Sequence, residues 1–193
     1  PAAPKARSKA YREAFLHGLN YIFASQFPNG GWPQVWPLQG GYHDGVTFND
    51  GAMISILELL SDVVEKKAEF AFVPASVRRR AAASLNRGTA CVVAAQIVSA
   101  GQRTAWGQQY DCLTLTPGSA RNYEMPSISS GESADVMLFL MRLPNPNTNV
   151  IAAIHAAAAW FERVALRDVA YQRVGADGRH LVAAPGHAPI WSR

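Results

Sequence analysis

Helical periodicity broken by long polar loops constrains this chain more than any other feature. Tyr11, Phe15, Leu19, Ile22 and Phe23 recur at spacings of three and four, which predicts an amphipathic helix over about 5–26. Pro28 and Asn29-Gly30-Gly31 stop it. Met53, Ile56, Leu57, Leu60 and Val64 mark a second helix over about 50–67. Pro74 suits the first turn of a third, which ends at Ala100-Gly101. A fourth covers about 130–142, and an alanine-rich fifth about 149–166, with Trp160 and Phe161 as bulk. The remainder is short Gly- and Pro-containing segments, with a hairpin signal at Asp177-Gly178.

The spacing also repeats. Gln26, a glycine turn and Trp32-Pro33-Gln34 follow the first helix. Gln96, a glycine turn and Trp106-Gly107-Gln108 follow the third, and Trp160-Phe161-Glu162 stands as the third instance. Helix pairs repeating at about 70 residues point to an all-α toroid of α-hairpins. Loops of 20–25 residues sit badly in a compact bundle, but fit a toroid as site-forming loops on one face.

Composition narrows the class. The chain has 193 residues, 49% hydrophobic and 17% charged, which is globular and large enough for one cored domain. No apolar run is long enough to cross a bilayer, so no membrane partner is expected. The N-terminal stretch carries charge but no signal-peptide core, so the sequence is cytosolic or a mature secreted form. The net charge of +4 suits a polyanionic partner. Only Arg78-Arg79-Arg80 cluster, on a solvated helix face, so nucleic acid is not expected. Cys91 and Cys112 lack metal spacing and are either a disulfide or two free thiols.

Two loops carry the chemistry. One runs from Asn29 to Asp50, the other from Trp106 to Ser133, and both are dense in aromatics, amides and carboxylates. Sugars are held by such sets: aromatic rings meet a pyranose face, while amides and carboxylates meet hydroxyls. Trp32 and Trp106 can equally be core plugs between helices. Asp50 is a helix N-cap or a hard oxygen ligand beside Asp44 and Asp111, as a Ca²⁺ site would need. Ser129-Ser130-Gly131-Glu132 has the form of a capping box. His43, His155, His180 and His187 show no metal spacing, and the chain has no phosphate loop, nucleophile elbow or zinc motif.

At these loops the chain resembles the pectate lyases of polysaccharide lyase family ten. The matching stretches are Gln26 through Gln34, Gly41-Tyr42-His43-Asp44 with Phe48-Asn49-Asp50, Tyr110-Asp111, Ala120 through Glu124, Ser130-Gly131-Glu132-Ser133, and Ala188 through Arg193. The resemblance implies an (α/α)3 toroid whose long loops form a substrate groove for polygalacturonate, cut by Ca²⁺-assisted anti β-elimination. It implies Arg193 as the Brønsted base and Asp50 as the calcium residue. Arg121 would pair with a galacturonate carboxylate, alongside Asp111, Trp32, Tyr42, His43 and Arg179 as substrate contacts. It also implies a secreted enzyme, expected as a monomer, with residues 1–193 forming one catalytic domain that is incomplete at both ends. Two readings compete: an inverting glycoside hydrolase using Asp50 and Asp111 as acid and base, and a module that binds acidic glycans without turnover.

Overall fold

The structure is a computed structural model that describes residues 8–176 and 178–192. Its main elements are five helices: α1 (Lys9–Ser25), α2 (Ala52–Val64), α3 (Ala75–Ala94), α4 (Ser130–Met141) and α5 (Thr148–Val164). Each lies where the periodicity puts it, and every end but the start of α5 is shorter or equal. The third departs most. Ala100 and Gly101 both hold positive φ and form the turn of a small hairpin, a geometry that two-residue hairpins favour. They do not end a helix. Among the described residues no helix is long and apolar enough to cross a membrane.

Loop length decides which helices pair. The short connections, 65–74 and 142–147, join α2 to α3 and α4 to α5, and these are the closely packed hairpins. The long loops, 26–51 and 95–129, join one hairpin to the next. The repeating helix pairs are therefore α2 with α3 and α4 with α5. Across hairpins α2 packs on α4, α1 on α3 and α3 on α5, so even and odd helices form two rows. Small residues let the rows close. Gly88 in α3 faces Leu57 of α2 and the Trp32 ring so tightly that a Cβ there would lie 2.5 Å from Leu57 Cδ2.

Short strands tie the loops together. β1 (Val46–Thr47) pairs antiparallel with β4 (Gln109–Tyr110), joining the first long loop to the second. Between them in sequence, β2 (Val98–Ser99) and β3 (Gln102–Arg103) make the small hairpin on α5. β5 (Val169–Arg173) and β6 (Arg179–Ala183) form the hairpin signalled near Asp177, which itself lies outside the described residues.

The repeat is real, and its third member is Trp191, not Trp160. After each odd helix the chain folds back on the helix end. The N–H of Phe27, Ile97 or Leu166 donates to the carbonyl of Gly31, Ala105 or Ile190, at 2.8–2.9 Å. The next residue is always a tryptophan. Its indole N–H donates to a helix carbonyl: Trp32 to Ile22 (2.9 Å), Trp106 to Val92 (2.8 Å) and Trp191 to Phe161 (2.8 Å). In the first two returns a glutamine locks the turn. Gln26 donates to Gly30 and Ser84 of α3, and Gln96 to Thr104 and Ala153 of α5. A buried indole needs a partner for its N–H, and a helix end has carbonyls left over, so each tryptophan meets both needs.

Candidate functional site

Trp32 and Trp106 are 1% and 0% exposed. Trp32 therefore has no ring face open to a sugar. Its expected role as a substrate contact is corrected to that of a core anchor. The returns they anchor nevertheless bring polar residues together.

Thr47 donates its N–H to the Trp32 carbonyl (3.3 Å), and three residues on stands Asp50. Asp50 is exposed, holds left-handed backbone (φ 53°) and has no protein partner among the described residues. Left-handed backbone is tolerated by aspartate better than by most residues, but it still costs free energy, and such strain gathers at functional positions. Asp50 is also not the N-cap of α2, a place that Gly51 takes.

The neighbouring Asn49 is buried and belongs to a polar network. Gln108 donates its side-chain amide to Asn49 Oδ1 (2.9 Å) and to Glu132 Oε1 (3.0 Å). Its backbone carbonyl accepts from Phe48 (2.8 Å) and Asn49 (3.3 Å). Glu132 also accepts from the Ser129 hydroxyl. The expected capping box is absent. The Ser129 side chain makes no cap bond, and its N–H goes to the Trp106 carbonyl, so Glu132 turns to Gln108 instead. The end of the third return reaches the same place, where the Ser130 hydroxyl donates to the Ser192 carbonyl (2.9 Å). Arg193 follows Ser192 in sequence and lies outside the described residues.

A second set lines an adjoining cleft of about 290 Å³ that includes Tyr42, Asp44, Gln109 and Asp111. Tyr42 stacks on His43 with ring centroids 3.8 Å apart, and both are half-buried. Asp44 accepts from the N–H groups of Gln39 (3.0 Å) and Gly40 (2.8 Å), so it shapes its own loop. Asp111 does the same for Thr114 and Leu113. Those N–H bonds, Thr114 first, hold its carboxyl below the usual range and keep it ionised. One of its oxygens is thus committed to a turn, and a proton-donating role does not suit it.

Arg121 is fixed by Glu124, whose carboxylate takes its Nε (2.9 Å) and Nη2 (2.5 Å) in a fork. Glu124 is buried while the guanidinium is half-exposed. The bond to Glu124 raises the Arg121 pKa further, so the cation is permanent. Tyr123, 74% exposed, lies beneath the guanidinium at 5.0 Å from its ring centroid. The lining of the Tyr42 cleft reaches Ser119, two residues before Arg121, whose guanidinium keeps donors to spare beyond the Glu124 fork.

Arg179 stands exposed on β6 and is not among the cleft residues. A cleft of about 640 Å³ between α3 and the start of α5 is lined by none of the candidate residues. Gln108, Asn49 and Glu124 are site residues that carried no assignment in the sequence. The repeated Trp-x-Gln spacing, matched by Trp191-Ser192-Arg193, is the signal that marks the first of them.

The described residues contain no group of three or more His, Cys, Asp or Glu side chains able to hold a metal. Ca²⁺ takes roughly six to eight oxygens. The free carboxylate of Asp50 fits one edge of an ion shared with water and a bound acidic ligand, not a closed protein cage. Cys91 and Cys112 are both free thiols.

A family model described as pectic acid lyase matches residues 3–193. Among curated proteins no sequence matches significantly. The family 10 polysaccharide lyase from Cellvibrio cellulosa is similar in structure, with a TM-score of 0.89 at 33% identity over 95% of this chain. An aspartate-to-alanine mutant of that lyase, in complex with trigalacturonic acid, matches with a TM-score of 0.88 at 33% identity over the same share. The chain spans 58% of the length of each of these structures.

Proposed function

The chain belongs to the pectic acid lyase family, and from that premise we propose that it cleaves polygalacturonate by β-elimination. The observation that carries this reading is the convergence of all three returns. Gln108 ties Asn49, the neighbour of Asp50, to Glu132 at the start of α4, where Ser130 holds the Ser192 carbonyl, and the next residue, Gln109, lines the Tyr42 cleft.

The reaction must remove the proton on C5 of a galacturonate, next to its carboxylate. A second negative charge then develops beside the first, so cations on that carboxylate lower the barrier. Arg121 is suited to supply one. Its fork to Glu124 leaves further N–H groups for a substrate carboxylate, and its charge does not depend on pH. Tyr42 and His43 offer a wall for the sugar ring. Asp50 is the residue that would hold Ca²⁺, which supplies charge stabilisation at the uronate carboxylate when bound. The family resemblance assigns the C5 proton to Arg193. As the C5–H pair forms the C4–C5 double bond, the C4–O bond breaks and the departing oxygen takes a proton from solvent.

Three Trp-anchored returns support an (α/α)3 toroid as the complete arrangement. A polymeric substrate too large to enter a cell supports a secreted enzyme.

The test is incubation of the protein with polygalacturonate, with Ca²⁺ and with chelator. Ultraviolet absorbance from the unsaturated product that disappears with chelator is the expected result. New reducing ends without absorbance would replace the reading with hydrolysis. Binding without either signal would leave a glycan-binding module.

A further inference from the structure

Asp50 and Glu132 occupy matching places in successive returns. Thr47 and Ser129, each three residues earlier, donate their N–H groups to the carbonyls of Trp32 and Trp106. The two carboxylates are repeat counterparts with different surroundings. Asp50 is exposed and unpartnered among the described residues, whereas Glu132 is half-buried and accepts from Ser129 and Gln108.

Gln108 is the link between them. A side-chain amide has two N–H donors, and Gln108 gives one to Glu132 and one to Asn49. Its backbone carbonyl takes the N–H groups of Phe48 and Asn49. The next residue is Asp50, in left-handed backbone. Remove the acceptor at Glu132, and one buried Gln108 N–H is orphaned. The amide then keeps only the bond to Asn49 Oδ1 among its described side-chain bonds, and a single contact fixes its orientation less well than two.

We propose that Glu132 is a positioning residue of the active site, which fixes the Gln108 amide and, through it, the 48–50 segment that presents the Asp50 carboxylate to substrate. The proposal rests on the lyase reading for its kinetic arm. Its structural arm stands alone. What matters is the reach of a hydrogen-bond acceptor, not the charge.

Two variants separate these. E132Q loses the charge and keeps an oxygen within reach of Gln108. E132D keeps the charge and is one methylene too short. Turnover is followed by the unsaturated product, and amide hydrogen exchange is followed at Phe48 and Asn49. Circular dichroism checks that each variant is folded. E132D is expected to lower kcat about 10–100-fold, the span typical of residues that support a ligand-binding group. KM should change little, and exchange at Phe48 and Asn49 should speed up. E132Q is expected to restore most of kcat and the slow exchange. The reverse pattern, with E132Q impaired and E132D intact, would overturn positioning in favour of charge. Wild-type kcat and exchange in E132D would also overturn it. If the wild-type protein makes no unsaturated product, the lyase reading falls, and the exchange rates still decide the proposal.

Discussion

The first and second returns use one plan and end differently. Each folds back on a helix end, buries a tryptophan whose indole reaches a helix carbonyl, and delivers a carboxylate three residues past the same backbone bond. In the first return that carboxylate, Asp50, is left open to solvent on strained backbone. In the second, Glu132 is enclosed by Gln108 and Ser129. One scaffold thus places an acid for use in one repeat and an acid for support in the next. Repetition fixes where a side chain emerges, and the neighbours from the following repeat decide what it can do.

The largest effect should come from the open acid. Asp50→Gly is expected to reduce kcat/KM by more than about 100-fold, beyond the range of supporting residues. Its stability should stay within about 1 kcal/mol of wild type. Glycine relieves left-handed strain worth roughly 1–2 kcal/mol, and its greater freedom in the unfolded chain offsets much of that gain. Paired activity and urea-unfolding measurements check this. Activity near wild type would remove Asp50 from the site and erase the contrast with Glu132.

Arg121 comes next. Arg121→Lys keeps a cation but cannot hold the Glu124 fork and a substrate carboxylate together. Hydrogen bonds to charged groups contribute roughly 1.5–3 kcal/mol, so KM for oligogalacturonates should rise about 10-fold or more, with kcat less affected. An unchanged KM would mean that the Tyr42 cleft does not bind the uronate.

The anchors should show smaller, graded costs. Trp106→Phe leaves the Val92 carbonyl without its indole donor and should lose about 1–3 kcal/mol of stability by chemical denaturation, and Trp32→Phe should lose less, because the Ile22 carbonyl keeps the Ser25 hydroxyl. Trp191 is 40% exposed, so water can replace its bond to Phe161, and Trp191→Phe should cost less. Equal costs at all three would show the third return to be as tightly built as the others.

Much of this is legible in sequence. Five helices follow from apolar spacing, because each buries one stripe. The 70-residue recurrence is visible in Gln26 and Gln96 with their tryptophans. Its third member is misplaced by sequence because Trp160, also half of an aromatic pair, sits at a helix end, while Trp191 reaches Phe161 only after a hairpin has intervened. Trp32 reads equally as sugar platform or plug, since composition does not reveal which side of a loop faces the core. Glu132 fits a local capping pattern. What outcompetes it is the non-local amide of Gln108, 24 residues away, which no local spacing encodes. Arg121 is identifiable by motif, but the Glu124 fork that fixes its charge needs the fold.

The smallest expected effect concerns the buried acidic protons behind the two returns. Cys91 packs behind Gly31 in the first, and the Tyr110 hydroxyl accepts from the Gly107 N–H in the second. Burial pushes the Cys91 thiol up to about 12 and the Tyr110 phenol above its ordinary value. Unfolding releases both groups to ordinary values, so above about pH 9 the unfolded chain binds fewer protons than the native one. The stability these neutral groups contribute is therefore complete below the unfolded thiol value and is lost as pH rises towards 12. Cys91→Ala removes one of the two groups and leaves a small cavity. The variant should be slightly less stable at neutral pH, and its deficit should shrink as pH rises, because the wild type alone bears the thiol's penalty. Urea midpoints taken from pH 7 to pH 11 measure the difference. A deficit that stays constant would mean that the Cys91 thiol is not held neutral by the first return, leaving Tyr110 as the group that ties alkaline unfolding to the second.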